Sequence, residues 1–158
     1  MLQYPYHKNK EKKMAKVINQ LKQLQADANA LYIKIHNYHW NVKGMDFVPV
    51  HLKTEEIYTN MSTLYDDAAE RVIQLGGKPY LTMSDLAKAT KIKEEKKDTF
   101  RSKEVVKNII TDYEYLLKLF SKISDEADKA ADKTTATFAD DNIAALEKEL
   151  WMLGSMLK

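Results

Sequence analysis

The most informative stretch of this chain places a histidine at each end of one short loop. It reads His39-Trp40-Asn41-Val42-Lys43-Gly44, continues for six residues and reaches His51. A second run begins fifteen residues after His51 and reads Asp66-Asp67-Ala68-Ala69-Glu70-Arg71. The chain has only four histidines, and two of them bracket this loop. Imidazoles followed by a carboxylate pair form a ligand set suited to iron, manganese or zinc.

Apolar side chains recur at intervals of three and four residues in four segments around and beyond this stretch. The segments run from Leu21 to Val42, from Ile57 to Leu75, from Val106 to Ile123 and from Ile143 to Leu157. This spacing predicts four long helices. No segment alternates apolar and polar residues over a sustained length, so no strand is predicted. The sequence therefore indicates an all-α protein.

Glycine and proline mark the helix ends next to the histidines. Gly44 can take the left-handed conformation that caps a helix, and Pro49 lies in the first turn of the second helix, where its missing N–H has no helical partner. The second helix is expected to stop at Gly76-Gly77. Ser102 is a candidate N-cap for the third helix.

The lengths of the connections predict the topology. The first loop is short, so helices one and two form an antiparallel hairpin, whereas residues 77–101 make a long connection. Within it, Thr82-Met83-Ser84-Asp85 resembles a capping motif and predicts one short helix. The third-to-fourth connection, at about residues 130–138, is short again. These features predict a ferritin-like four-helix bundle with a short extra helix in the long crossover between helices two and three.

Helix geometry limits how the histidines and the carboxylates can meet. In an antiparallel hairpin the end of helix one and the start of helix two lie together, so His39 and His51 can face one ion. Glu70 lies 19 residues beyond His51, which is roughly 28 Å along a continuous helix. Either the two groups are unrelated, or a second chain supplies the carboxylates. A two-fold dimer would create two equivalent sites of the second kind.

Each candidate ligand also has an ordinary structural explanation. A single helical histidine is more often a surface or core residue, and Asp66 and Glu70 could form a solvated face or pair with Arg71. His36 lies three residues before His39, and we expect it to point elsewhere. Glu55, one turn after His51, is a candidate fifth ligand from the same chain as the histidines.

These motifs together resemble the Dps family of bacterial mini-ferritins, within the ferritin-like superfamily. The resemblance extends from about Leu21 to Leu157 and is strongest to the neutrophil-activating-protein branch. It rests on the stretch from His39 to Gly44, on Phe47, Val50, His51 and Glu55, on the run from Tyr65 to Arg71, and on Trp151-Met152-Leu153. The resemblance implies a hollow shell of twelve subunits with tetrahedral symmetry.

The resemblance also implies an activity and a site for it. In such shells a ferroxidase site at the two-fold interface oxidises ferrous iron with hydrogen peroxide or dioxygen, and the ferric mineral is stored in the cavity. This storage protects against oxidative damage. When the family's site is placed on the matching positions of this sequence, the resemblance implies that His39 and His51 come from one chain and that Asp66 and Glu70 come from its partner. Trp40 lies beside the site, where it takes up oxidising equivalents and also packs among apolar side chains.

The acidic residues near the third-to-fourth connection are candidates for an iron-entry pore, because family members have acidic three-fold pores there. An ordinary charged loop is the alternative. The candidates are Asp125, Glu126, Asp128, Asp132, Asp140 and Asp141. A ring of carboxylates would attract cations by its negative potential.

Composition indicates one domain with a basic N-terminal arm. The chain has 158 residues and a net charge of +2, yet residues 1–16 carry five lysines against one glutamate. Residues 1–16 are therefore predicted to be a basic arm, and residues 17–158 the bundle domain. The arm could contact DNA without sequence preference, or could simply be a solubilising terminus. Two functions are alternatives to iron oxidation and storage: a shell that mainly compacts DNA, and an immunomodulatory oligomer.

The composition also indicates where in the cell the protein is expected. The chain has no cysteine, so it has neither a disulfide framework nor a thiolate metal site. No apolar run approaches the roughly 20 residues of a membrane span, so no membrane partner is expected. The first thirty residues contain no apolar signal-peptide core, which makes the cytoplasm the expected location.

Overall fold

Four long helices and one short helix form the fold in the computed structural model, which describes residues 5–158, with side chains from Lys10 onward. The helices are α1 Pro5–Asn41, α2 Phe47–Gln74, α3 Met83–Ala89, α4 Ser102–Lys129 and α5 Lys133–Ser155. The long helices form the bundle, and α3 lies in the crossover between α2 and α4 and packs on α1. The predicted ferritin-like bundle with a short extra helix is confirmed.

The apolar stripes predicted from spacing form the core between these helices. The two most extensive helix contacts are between α1 and α2 and between α4 and α5, and α1 also contacts α4. Leu21, Leu31, Ile57 and Leu116 are among the side chains withdrawn from solvent there. Burial of several such side chains, each contributing roughly 1.5–3 kcal/mol, holds the four helices together.

Buried polar side chains of α1 attach the crossover to the bundle. The side-chain amide of Gln25 pairs with both backbone groups of Tyr80, at 3.0 and 2.9 Å. Asp27 is fully buried and accepts hydrogen bonds from the Lys91 N–H, the Thr90 hydroxyl and the Tyr115 hydroxyl. Because these polar groups are hydrogen-bonded, their burial is tolerated, and they fix the crossover on α1.

Around the crossover, the structure differs from the prediction in two respects and agrees with it in a third. A two-residue parallel strand pair, β1 Val42–Lys43 and β2 Phe100–Arg101, joins the first loop to the end of the crossover, although no strand was predicted. Strands this short produce no alternating pattern. Ser102 is the first residue of α4 rather than its cap. The expected cap at Thr82 is confirmed, since its hydroxyl accepts from the Asp85 N–H at 3.2 Å.

The connection between α4 and α5 is much shorter than predicted, because α5 begins at Lys133. The Asp132 carboxylate accepts the Thr135 N–H at 3.1 Å and so caps this helix. The first turns of α5 contain mainly threonine and alanine and lack large apolar residues at helical intervals, so the apolar pattern did not predict them. Asp140 and Asp141, expected near a loop, therefore lie within α5.

The described part of the basic N-terminal segment is helical. α1 begins at Pro5, and Val17 is its first fully buried residue beyond Lys10. Residues 1–4, and the Lys8 side chain, lie outside the described residues. The division between an arm at 1–16 and a domain at 17–158 remains a prediction. Across residues 5–158, we find no helix with the length and apolar character that a membrane crossing requires.

Candidate metal centre

The turn between α1 and α2 brings the two predicted histidines into contact. His39 lies in the last turn of α1, and His51 lies in the second turn of α2. Gly44 takes a φ of +126° in the turn, a conformation that residues with a β-carbon rarely adopt. The imidazole rings stack with their centroids 3.6 Å apart and 20° between their planes.

Each of these imidazoles bonds to the backbone of the other residue. His39 Nδ1 lies 2.9 Å from the His51 carbonyl oxygen, and His51 Nδ1 lies 2.9 Å from the His39 carbonyl oxygen. A carbonyl can only accept, so both Nδ1 atoms must carry the proton and donate. In the neutral form of each ring, Nε2 then keeps its lone pair. Metal-binding histidines are commonly held in this way by a hydrogen bond to the other ring nitrogen.

All the predicted carboxylates lie on the same helix as His51, Glu55 one turn after it and Asp66 and Glu70 far along it. Glu55, Asp66 and Glu70 are all exposed on α2, which is continuous from Phe47 to Gln74. At about 1.5 Å per residue, Glu70 is therefore roughly 28 Å from His51 along the helix axis. Within one chain, the described residues contain no group of three or more His, Asp or Glu arranged to hold a metal ion.

Arg71, the expected ordinary partner of Asp66 or Glu70, is directed elsewhere. Its guanidinium binds the Asp132 carboxylate at 2.8 Å and the Thr135 hydroxyl at 2.8 Å. Asp132 is consequently buried in a cap and an ion pair within its own chain, and its role as a pore-lining acid stays a prediction. The side chain of Asp140, another pore candidate, accepts a hydrogen bond from Ser124 at 2.7 Å.

Comparison with known proteins identifies the family. The ferritin-like domain family matches residues 18–158. The DNA protection during starvation protein of Helicobacter pylori is 51% identical over 137 residues, which cover 87% of this chain and 95% of that protein. The chain belongs to the Dps family.

Solved structures of relatives agree with this assignment. The crystal structure of Helicobacter cinaedi CAIP is 54% identical, with a TM-score of 0.89, and the match covers 90% of this chain and 100% of that one. A Dps protein from Vibrio cholerae O1, described as a member of the ferritin-like diiron-carboxylate superfamily, is 31% identical. Its TM-score is 0.88, with coverage of 93% and 94%. The Dps resemblance that the sequence motifs indicated is confirmed.

Further aromatic side chains surround the histidine pair of this Dps-family chain. Tyr58 lies edge-on to His39, with centroids 5.2 Å apart, and stacks on His36 at 3.8 Å. His36 donates its own Nδ1 proton to the Tyr32 carbonyl at 2.7 Å and stays outside the His39–His51 stack, as expected. Loss of solvation raises the pKa of Tyr58, and the Glu55 carboxylate raises it further. No pattern in the sequence indicates that Tyr58 belongs to the site.

Trp40 and its apolar neighbours are uncovered in the single chain. The Trp40 side chain is 67% exposed, so the expectation that it packs among apolar residues is wrong within one subunit. Its indole lies 5.3 Å from the His36 ring. The other exposed apolar side chains around the turn are Met45, Phe47, Val48 and Leu52. An apolar patch of this kind is characteristic of a surface that another protein covers.

Proposed function

We propose that this protein is a ferroxidase that oxidises ferrous iron with hydrogen peroxide, or with dioxygen, and stores the ferric product as a mineral inside a protein shell. The observation that carries the proposal is the His39–His51 pair, because its backbone hydrogen bonds leave two neighbouring Nε2 lone pairs free for a metal ion. Membership of the Dps family supports the iron chemistry, since a relative is described as a ferritin-like diiron-carboxylate protein.

We further propose that the site is completed across a two-fold dimer, with Asp66 and Glu70 supplied by the partner subunit. Two features support this. The carboxylates are too far along α2 to reach the histidines of their own chain. The exposed patch around Trp40 and Met45 also adjoins the histidines, so a partner that covers it would bring new ligands to them. Glu55, on the same chain as His51, is the proposed additional ligand.

The ligand set suits redox chemistry on iron as a substrate. Imidazole and carboxylate ligands both bind iron, and a site with few protein ligands leaves coordination positions open for an oxidant. Two ferrous ions give one electron each to hydrogen peroxide, the O–O bond breaks, and two protons complete two water molecules. Because both electrons arrive together, no hydroxyl radical is released. Protection from oxidants would then accompany iron storage.

The assembly is proposed to be a dodecamer, as the family resemblance implies. A shell is needed because mineral storage requires an enclosed volume, which a dimer lacks. Twelve copies of the 18.3 kDa chain predict a particle of roughly 220 kDa. Native mass spectrometry measures this directly. A stable monomer that still oxidises iron rapidly would contradict both the shell and the shared site.

The direct test measures peroxide-driven oxidation of ferrous iron, following iron oxidised per peroxide consumed. His39→Ala, His51→Ala, Asp66→Ala and Glu70→Ala should each slow the rapid phase by at least about tenfold, because loss even of groups that orient ligands costs 10–100-fold. Asp67→Ala is the matched control, since Asp67 is also an exposed carboxylate and lies next to Asp66. If Asp67→Ala and Asp66→Ala behave alike, Asp66 is not a ligand.

Binding of DNA through the basic segment is a second proposal, which the charge distribution favours. Lys10 and Lys12 are exposed on the first turns of α1, and Lys16 lies 3.8 Å from Glu126 while its side chain stays 59% exposed. Repeated on each subunit of a shell, such lysines would contact many phosphates at once. Relatives named for DNA protection are consistent with this contact. The lysines between residues 8 and 13 are the ones to test.

A further inference from the structure

A buried hydroxyl lies against the histidine pair and has no part in the ligand set proposed above. Thr54 belongs to α2, one turn after Val50, and is 1% exposed. Its Oγ1 lies 3.2 Å from His39 Nδ1, the nitrogen on the side of the ring away from Nε2. The same oxygen lies 2.8 Å from the Val50 carbonyl and 2.9 Å from the His51 carbonyl.

The direction of each hydrogen bond follows from the number of protons available. A threonine hydroxyl has a single proton, and here two carbonyl oxygens, which can only accept, compete for it. That proton is therefore directed at the backbone of α2, which leaves the Oγ1 lone pairs facing His39. His39 Nδ1 then has two acceptors around it, Oγ1 and the His51 carbonyl. An unprotonated Nδ1 would leave lone pairs facing each other in a buried position, which costs free energy.

We propose that Thr54 is a positioning residue that reinforces the His51 carbonyl in holding His39 in the Nδ1–H tautomer, and so presents the Nε2 lone pair for metal binding. This inference rests on the proposed function, because it assumes that His39 binds the metal. The contact of Thr54 with His39 is at Nδ1, not at the Nε2 atom that is proposed to bind the metal. Thr54 acts through the ring nitrogen opposite the ligand atom, as outer hydrogen-bonding groups do in metal sites.

The local structure explains why threonine suits this position. In a helix, a threonine hydroxyl can return to the carbonyl three or four residues earlier, which fixes its rotamer. Here those carbonyls belong to Val50 and His51, so the hydroxyl is oriented by the same segment that carries the second histidine. The side chain therefore couples the orientation of His39 to the backbone around His51.

The test uses two substitutions of nearly unchanged size. Thr54→Val replaces the hydroxyl with a methyl group and removes the acceptor, whereas Thr54→Ser keeps the acceptor and removes only the methyl group. Solid-state NMR of the metal-free assembly labelled with ¹⁵N-histidine distinguishes a protonated ring nitrogen from an unprotonated one. The chain has only four histidines, so few signals are present. Zn²⁺ serves as a redox-inert probe of affinity, and thermal unfolding reports whether each variant is folded.

In the unaltered protein, His39 should show a protonated Nδ1 and an unprotonated Nε2. Thr54→Val should move part of this signal to the opposite tautomer and weaken Zn²⁺ binding by about tenfold, while thermal unfolding stays close to that of the unaltered protein. Thr54→Ser should restore both the signal and the affinity. Unchanged ring signals and affinity in Thr54→Val would overturn the proposal, as would equal losses in both variants, because those would reflect packing.

A separate variant distinguishes failure of this inference from failure of the proposed function. His39→Ala should abolish the Zn²⁺ binding that depends on this site. If His39→Ala retains full Zn²⁺ affinity and rapid ferrous oxidation, the metal site itself is misplaced, whatever tautomer Thr54 favours. If His39→Ala loses both while Thr54→Val changes nothing, the metal site stands and only the role of Thr54 is wrong.

Discussion

Removal of the Asp132 carboxylate should destabilise the corner between α4 and α5 without slowing iron chemistry. Asp132 is buried at the N-terminus of α5, where it accepts the Thr135 N–H and hydroxyl and the Arg71 guanidinium. Loss of an aspartate N-cap costs about 1 kcal/mol. Loss of a partly buried hydrogen bond to a charged group costs a further 1.5 kcal/mol or so. Asp132→Ala should therefore lower the free energy of unfolding by roughly 2–3 kcal/mol.

The assay is thermal unfolding at one fixed protein concentration, because assembly makes the midpoint depend on concentration. For a chain of this length, that loss corresponds to a fall in midpoint of roughly 5–10 °C. Asp128→Ala is the matched control, since Asp128 is exposed and pairs with Lys133 only at the surface, at 3.5 Å. It should change the midpoint by no more than about 1–2 °C.

The pH dependence of Asp132 has a definite sign. Burial alone raises the pKa of this carboxyl, but the hydrogen bonds from Thr135 and the charge of Arg71 outweigh it and hold the pKa below the usual range. A carboxyl with a depressed folded-state pKa stabilises the fold above its unfolded pKa of about 4, and this contribution disappears as the pH falls through the folded value. The difference between the unaltered protein and Asp132→Asn should therefore be constant from neutral pH to about pH 5 and shrink below about pH 4. Equal stability of Asp132→Ala and Asp128→Ala, with slowed iron uptake in the former, would refute the capping role and support the pore-lining role of Asp132.

Three further outcomes follow from the structure. Lys34→Met should lower the free energy of unfolding, measured with denaturant, by about 3 kcal/mol, because the buried Asp112 carboxylate loses the ammonium group 2.6 Å away. The double variant Lys34→Met/Asp112→Leu should recover most of that stability, because no buried charge is left unpaired. Gly44→Ala should destabilise by about 1–2 kcal/mol because of its positive φ, whereas the helical Gly154→Ala, which has open space around it, should be neutral or stabilising in the same assay. Replacing the four lysines between residues 8 and 13 with glutamine should abolish retardation of plasmid DNA and leave ferrous oxidation unchanged; no retardation by the unaltered protein at low salt would remove DNA from its partners.

The sequence predicted the parts of the fold that depend on local patterns. Apolar spacing, Pro49 and Gly76 located α2, and the motif at Thr82 located the short helix, because these signals lie within a few residues of the elements they define. The N-terminal extension of α1 was not predicted, since its lysine-rich turns have no apolar stripe. The β1–β2 pair was missed because it joins residues nearly sixty positions apart through only two residues each.

The parts of the candidate site that depend on local patterns were also predictable, and the parts that depend on side-chain packing were not. The meeting of His39 and His51 followed from the short hairpin, and the separation of Glu70 followed from the rise of one helix. The reciprocal bonds from each imidazole to the other residue's carbonyl could not be predicted, because they depend on side-chain rotamers and on the backbone of the turn. Thr54 and Tyr58 were missed for the same reason, since neither residue type by itself indicates a metal site.

The central claim is that one iron site takes its ligands from two subunits, and co-assembly of two inactive variants tests it most directly. One variant lacks both histidines, through His39→Ala and His51→Ala, and the other lacks both carboxylates, through Asp66→Ala and Glu70→Ala. In each mixed dimer one of the two sites is intact, so random mixing in equal amounts should restore about a quarter of the sites and of the rapid ferrous oxidation by peroxide. Subunit exchange is verified by native mass spectrometry of the mixture. Complete exchange with no recovery of activity would contradict a site shared between chains.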